Sequence, residues 1–113
     1  MAEYTSDQLN EVAMQIIMHA GDGRDKINKA LIALETGFDF DTFERLMEEG
    51  HEDIVKAHRQ QTEVIQSTVE DDNVEGTLLF AHAQDTLMTI NSEYNLAKHI
   101  GKLYQVIAER GNV

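Results

Sequence analysis

Residues 80–108 read FAHAQDTLMTINSEYNLAKHIGKLYQVIA, and their apolar or small side chains recur at alternating steps of three and four residues. A period of 3.5 residues, sustained over about four heptads, is typical of a long helix packed at a shallow angle against other helices. The segment therefore predicts a helix with one apolar seam, formed by Phe80, Ala83, Leu87, Ile90, Tyr94, Ala97, Gly101, Tyr104 and Ala108.

Two earlier segments repeat this pattern. The first seam comprises Leu9, Ala13, Ile16, Ala20, Gly23, Ile27, Ala30 or Leu31, and Leu34. The second comprises Phe40, Phe43, Met47, Gly50, Ile54, Ala57, Gln61 and Val64. Each helix spans roughly 30 residues, or about 45 Å at 1.5 Å per residue, and short links require neighbouring helices to run antiparallel. We therefore predict an all-α fold, an antiparallel up-down-up three-helix bundle that forms one domain over residues 1–113.

Capping residues predict where the helices begin and end. Thr5, with a glutamine three residues later, is a helix start, and Gly37 suits the left-handed position that ends a helix. The pattern Asp41-x-x-Glu44 reads as a capping box for the second helix. The acidic, glycine-containing residues 70–76 interrupt the apolar period and separate the second helix from the third.

Composition excludes several classes of function. A net charge of −12, with only nine dispersed Lys and Arg residues, disfavours binding to nucleic acid or to anionic membranes. The absence of cysteine excludes disulfides and thiolate metal sites. No apolar run approaches the ~20 residues that span a bilayer, and no signal peptide is evident. We expect a cytoplasmic protein.

The third helix carries a second regular row, which we call the outer stripe. It lies roughly 200° around the helix from the apolar seam, at ~100° per residue. It contains few of the Lys and Glu residues expected of a solvated surface, and so predicts packing on another subunit. Its members are Leu78, His82, Asp85, Thr89, Ser92, Leu96, His99 and Leu103.

His82 and Asp85 are three residues apart and share one helical face. Asp85 either satisfies a structural histidine at an interface, or favours one imidazole tautomer and leaves the other ring nitrogen as a nucleophile. One His and one Asp are too few for a closed metal site, but a symmetric oligomer can bring several copies of Asp85 to one hard divalent cation. The spacing alone leaves all three interpretations open.

Other polar groups give weaker signals. Residues 20–24, AGDGR, lack the Gly-Lys-Ser/Thr of a phosphate-binding loop, and the apolar period runs through them. We interpret them as helix. His58 lies among polar residues in mid-helix, and we interpret it, like His19, His51 and His99, as structural.

Residues 82–89, HAQDTLMT, resemble the signature of the lactose/cellobiose-type enzyme IIA of the bacterial sugar phosphotransferase system, which runs His-Ala/Gly-Gln-Asp-His-Leu-Met-Thr. Residues 20–24 and residues 57–62, AHRQQT, are similar to two further blocks of that family. The order and spacing of the three blocks fit, so the resemblance covers roughly residues 11–108.

The resemblance implies a homotrimer of three-helix subunits that acts as a phosphotransferase component. His82 stands at the histidine that accepts a phosphoryl group from phospho-HPr and passes it to a cysteine of the IIB component. Asp85 stands at the aspartate that gathers near the threefold axis and binds a divalent cation, commonly Mg²⁺. Ala83 is more similar to members for cellobiose and diacetylchitobiose than to lactose members. Thr86 departs from the family's second histidine, which puts the rate or partner preference of transfer in doubt.

Two other classes of function compete with this one. A trimeric helical module without transfer chemistry would show the same heptads. A histidine phosphotransfer domain of two-component signalling is also helical, but such domains usually place a lysine shortly after the histidine. Here Gln84, Asp85 and Thr86 follow His82, so we rank that alternative last.

Overall fold

The computed structural model describes residues 4–70 and 77–111, which form three long helices. They are α1 (Ser6–Gly37), α2 (Phe40–Glu70) and α3 (Leu78–Glu109). The predicted all-α class is confirmed, and the helix lengths of 32, 31 and 32 residues match those expected from the apolar period. None of the helices in these ranges has the length and apolarity needed to span a membrane.

Contacts between α1 and α2 show that these helices run antiparallel. Near one end, the Gln60 amide nitrogen donates a 2.6 Å hydrogen bond to the Gln15 side chain. Further along, Gly23 lies against Gly50. From the first contact to the second, the residue numbers rise along α1 and fall along α2, as the predicted up-down arrangement requires.

Helix α3 runs parallel to α1 and antiparallel to α2. The Arg24 guanidinium of α1 donates two hydrogen bonds, of 2.8 and 3.0 Å, to the Glu93 carboxylate of α3. Fourteen residues later in the chain, just past the end of α1, the Phe38 ring packs on Tyr104 at 5.4 Å between centroids. The up-down-up topology is therefore confirmed.

The buried core consists of the three predicted seams, except that Phe40, Tyr94, Tyr104 and Ala108 are only partly buried. Where the sequence left Ala30 and Leu31 as alternatives, Ala30 is fully buried and Leu31 only partly. Gln61 is buried as its seam position predicts. The other buried seam positions are Leu9, Ala13, Ile16, Ala20, Gly23, Ile27, Leu34, Phe43, Met47, Gly50, Ile54, Ala57, Val64, Phe80, Ala83, Leu87, Ile90, Ala97 and Gly101.

Glycines set the closest approaches between helices. A Cβ atom on Gly23 would lie 2.9 Å from the Gly50 carbonyl oxygen, so the backbones of α1 and α2 meet directly there. A Cβ atom on Gly101 would lie 2.5 Å from the Phe43 ring, which packs against the bare backbone of α3. In both places the absence of a side chain is a packing requirement.

The start of α1 agrees with the sequence prediction. The Thr5 hydroxyl accepts a hydrogen bond from the Gln8 N–H, and the Gln8 side chain accepts one from the Thr5 N–H. These reciprocal bonds form a complete capping box. At α3, Thr77 caps the helix by accepting from the Phe80 N–H. The predicted break within residues 71–76 lies outside the described residues.

The link between α1 and α2 corrects two boundary predictions. The left-handed residue is Phe38, with φ of 52°, and not Gly37. Left-handed backbone costs a non-glycine residue roughly 1–2 kcal/mol, and here the edge-on contact of the Phe38 ring with Tyr104 offsets it. The cap of α2 is Asp39, and not Asp41.

Asp39 caps the start of α2 through hydrogen bonds with Thr42. Its carboxylate accepts hydrogen bonds from the Thr42 hydroxyl at 2.6 Å and from the Thr42 N–H at 3.1 Å. The hydroxyl bond is the larger cause, and the N–H bond the second, of a lowered pKa for Asp39. The threonine hydroxyl favours this earlier cap over the Asp41-x-x-Glu44 pattern.

A partly buried ion pair joins α1 to α2 and was absent from the sequence prediction. Asp53 is only 7% exposed, and its carboxylate accepts a 2.6 Å hydrogen bond from the Lys26 ammonium. That hydrogen bond is the main cause of a pKa for Lys26 above its ordinary value of 10.5. The stability contributed by the pair is therefore present below pH 10.5 and is lost as the pH rises through the higher folded-state pKa.

Gly101→Ala should lower the free energy of unfolding by about 1–3 kcal/mol, because the new methyl group overlaps the Phe43 ring. Gly21→Ala is the matched control. A Cβ atom there meets nothing within 4 Å, so the alanine should stabilise by roughly 0.5–1 kcal/mol through helix propensity. Urea unfolding followed by circular dichroism measures both. Equal effects of the two substitutions would contradict this packing account.

Lys26→Met should destabilise by about 1–3 kcal/mol, because it leaves the Asp53 carboxylate enclosed without its partner. Adding Asp53→Leu to that variant should restore most of the loss. The control is Lys29→Met, which breaks an exposed pair with Asp25 and should change stability by less than about 0.5 kcal/mol. Failure of the double variant to recover stability in thermal unfolding would show that the ion pair itself is not the source of the effect.

Candidate functional site

His82 lies in the second turn of α3 and is exposed to solvent. Its orientation is fixed by its neighbours on the helix, because Ala83 and Leu87 are buried in the core. The cap at Thr77 holds the start of α3 in place one turn earlier. The imidazole is therefore presented to solvent from a helix whose inner face is held in the core.

A depression of about 620 Å³ adjoins His82 where α1 and α3 begin. Leu78 and Leu79 form its apolar part, and Thr77, His82 and Asn10 supply polar groups. The parallel alignment of α1 with α3 is what brings residue 10 beside residue 82. The His82 imidazole therefore has apolar side chains on one side and solvent on the other.

The hydrogen bond between His82 and Asp85 that the spacing allowed is not formed within one protomer. Asp85 is exposed, and neither side chain makes a hydrogen bond or ion pair with any residue in the described ranges. The Asp85 backbone carbonyl accepts a 2.8 Å hydrogen bond from the Thr89 hydroxyl, so the Thr89 donor is used within the helix. Asp85 therefore does not orient the imidazole in the isolated subunit.

A single protomer offers no complete metal site in the part of the chain that the structure describes. No three His, Asp or Glu side chains there lie close enough to share an ion. The Asp85 carboxylate is nevertheless exposed and unengaged, so its oxygens are available to an ion shared between copies of the chain.

Thr86 differs from its neighbours in exposure. It is partly buried, whereas His82 and Asp85 are both exposed. A group bound at the outer side of His82 therefore meets the Thr86 hydroxyl less readily than it meets solvent. Where the resembled family signature has a second histidine, this chain has a partly buried threonine.

The outer stripe of α3 is exposed along its whole length in the protomer, as predicted. Its leucines are the most telling members, because Leu78, Leu96 and Leu103 are 89%, 61% and 59% exposed. Ile100 and Ile107 extend the apolar part toward the C-terminal end of α3. So many large apolar side chains in one row exceed the scatter usual on a monomer surface and mark an interaction surface.

The remaining histidines lie away from this depression. The His51 ring stacks on Tyr94 at 5.0 Å between centroids, in a groove between α2 and α3. His58 is exposed on α2 beside Arg59 and Thr62. None of these rings lines the depression at His82.

Sequence reasoning missed Asn10 as a member of the site. Its side-chain oxygen is buried and has no hydrogen-bond partner among the described residues. The same is true of the Gln61 amide oxygen inside the core. Nothing near Asn10 in the chain marks it as functional, because its place beside His82 depends on the register between two helices distant in sequence.

The chain is similar to known proteins over most of its length. The family model for the lactose/cellobiose-specific IIA subunit of the phosphotransferase system matches residues 11–105. The lichenan-specific phosphotransferase enzyme IIA component of Bacillus subtilis (strain 168) is 34% identical over 105 residues, which cover 93% of this chain and 94% of the relative.

Two solved structures share the fold at 27–29% sequence identity. The cellobiose-specific enzyme IIA from Bacillus anthracis superposes with a TM-score of 0.84 at 29% identity, covering 96% of this chain and 97% of that one. The chitobiose IIA of Escherichia coli, solved in complex with HPr, gives a TM-score of 0.78 at 27% identity, covering 95% and 99%. This three-helix protein therefore belongs to the lactose/cellobiose-specific IIA family of the bacterial phosphotransferase system.

Proposed function

We propose that this protein is a phosphocarrier that accepts a phosphoryl group from phospho-HPr on His82 and passes it to a IIB component. The observation that carries the proposal is the exposed imidazole of His82, which has no hydrogen-bond partner among the described residues and lies beside an apolar depression on a rigid helix. That arrangement suits a nucleophile that must meet two partner proteins in turn.

The main contribution of the protein to phosphoryl transfer is to position the histidine. An unprotonated ring nitrogen of His82, Nε2 by resemblance to the family, attacks the phosphorus in line. The bond from phosphorus to the donor imidazole of HPr breaks, and its electron pair returns to that ring. Phosphoryl transfer of this kind depends on alignment and local electrostatics, so a fixed helical histidine supplies the main requirement.

Partners and substrate class follow from the relatives. HPr is the partner bound in the structure of the chitobiose-type relative, and we assign it as the donor here. We assign a IIB component as the acceptor and a β-disaccharide as the transported sugar, with cellobiose or diacetylchitobiose favoured over lactose because of Ala83. Phospho-HPr derives its phosphate from phosphoenolpyruvate, a cytoplasmic metabolite, so we place the carrier in the cytoplasm.

The carrier assembles as a homotrimer in this proposal, with Asp85 and the leucines of the three outer stripes at its centre and His82 at the edge of that interface, where it still meets partner proteins. The exposed leucines of that stripe need cover, and a symmetric trimer provides it from the same stripe of other copies. Three Asp85 carboxylates would then converge, and a divalent cation such as Mg²⁺ suits their oxygen donors. When bound, the ion neutralises their repulsion, and its role is assembly rather than transfer.

His82→Ala should abolish phosphorylation, because it removes the nucleophile. The protein is incubated with phosphoenolpyruvate, enzyme I and HPr, and acid-labile phosphate on the chain is measured. His58→Ala is the matched control, an exposed histidine on α2 that should retain full labelling. An unlabelled parent protein would favour a trimeric module without transfer chemistry. Phosphate label that persists in His82→Ala would show that another histidine is phosphorylated.

Asp85→Asn should remove the dependence of the assembly on divalent cations, because it abolishes both the repulsion and the ligand charge. Sedimentation should give the parent protein three times the 12.8 kDa mass of one chain. Mg²⁺ at 100 times its Kd should stabilise the parent by about 2.7 kcal/mol relative to EDTA, and leave Asp85→Asn unaffected. Asp22→Asn, on the exposed part of α1, should respond to Mg²⁺ like the parent. A parent trimer indifferent to EDTA would rule out the shared cation.

A further inference from the structure

The amide oxygen of Asn10 is the least expected polar atom at the site. Asn10 belongs to α1 and is only partly covered, yet its Oδ1 atom is buried and lacks a hydrogen-bond partner among the described residues. Buried side-chain oxygens are nearly always satisfied, because losing water without gaining a partner is costly. The atom therefore calls for a donor within reach of the depression that Asn10 lines.

The depression contains few side-chain donors that could serve. Leu78 and Leu79 have none, and the Thr77 hydroxyl, which caps α3 by accepting from the Phe80 N–H, donates no hydrogen bond to Asn10. The imidazole of His82 is the remaining polar side chain of the lining. It is itself without a partner in the described part of the chain, and the exposed Asp85 does not fill that role. Two unsatisfied groups of complementary chemistry thus share one depression.

We propose that Asn10 is a positioning residue for His82, its amide oxygen accepting a hydrogen bond from the imidazole Nδ1–H. The inference rests on the proposed phosphocarrier function of His82. Nδ1 is the ring nitrogen nearer to the helix backbone, so an acceptor at the base of the depression meets Nδ1 and leaves Nε2 outermost. A neutral imidazole carries one proton, and an acceptor at Nδ1 fixes that proton there.

The consequence is a histidine already in the reactive tautomer. The Nε2 lone pair attacks phosphorus, the P–N bond of the donor breaks with its electron pair returning to the donor ring, and the Nδ1 proton stays on His82, held by Asn10. No proton has to move before the attack. Without Asn10, part of the population carries its proton on Nε2 and cannot react.

The test is nitrogen-15 NMR of the imidazole rings in the full-length, unphosphorylated protein at a pH where His82 is neutral. The parent should show His82 with the proton on Nδ1, Asn10→Ala should show a mixture of both tautomers, and Asn10→Asp, which keeps an oxygen acceptor, should retain the Nδ1–H form. Asn28→Ala, an exposed asparagine on the same helix, is the matched control and should match the parent. Thermal unfolding of each variant verifies that it is folded.

Transfer rates from phospho-HPr supply the second readout. Asn10→Ala should lower kcat by roughly 5–10-fold with little change in KM, as expected for the loss of one hydrogen bond that aligns the nucleophile. Asn10→Asp should recover only part of that loss, because it restores the acceptor but its carboxylate charge opposes the incoming phosphoryl group.

Two outcomes would overturn the proposal: an Nε2–H tautomer in the parent, or identical tautomer populations in the parent and in Asn10→Ala. The tautomer measurement requires no phosphoryl donor, so it decides the hydrogen bond even if His82→Ala were still labelled and the carrier function failed. Conversely, label that depends on His82, together with tautomers indifferent to Asn10, would reject the positioning role alone.

Discussion

The direct backbone contact of Gly23 with Gly50 is the constraint on which the alignment of this bundle depends. Helices of three heptads or more can slide by one heptad and still match apolar seams, so periodicity alone leaves their register open. A glycine pair removes that freedom, because the backbones can meet only where neither helix carries a side chain. One residue along α1, the paired hydrogen bonds of Arg24 with Glu93 fix α3 at the same level.

The site inherits its geometry from this alignment. The parallel register of α1 and α3 carries through to the end where both helices begin, and there it brings Asn10 to the same depression as His82. The polar groups of that depression thus come from both helices, and their relative position follows from packing at mid-helix. A slip by one heptad would preserve the core and would separate these two residues.

The sequence predicted the features that depend on periodicity and missed those that depend on register. Each core residue of the apolar seams followed from its spacing, and His82 followed from a motif. The sequence prediction missed the ion pair of Lys26 with Asp53. Asp53 lies beside the apolar seam of α2, at a position that would be exposed to solvent if the helix stood alone. Phe38 and Asp39 were missed because an aromatic contact with Tyr104 and a threonine hydroxyl outweighed the usual preferences for glycine and for a capping box.

The separation of His82 from Asp85 explains how one short motif can serve two purposes. Both residues lie on the outer stripe, yet they make no hydrogen bond or ion pair with each other in the described protomer.

A phosphoryl group on His82 adds roughly two negative charges to a chain whose net charge is already −12. An aspartate bonded to the imidazole would place its charge directly against that group. A neutral amide at that position orients the ring without this repulsion, while a carboxylate one turn away raises the energy of the phosphorylated state only moderately. That balance suits a carrier, which must accept a phosphoryl group and then release it.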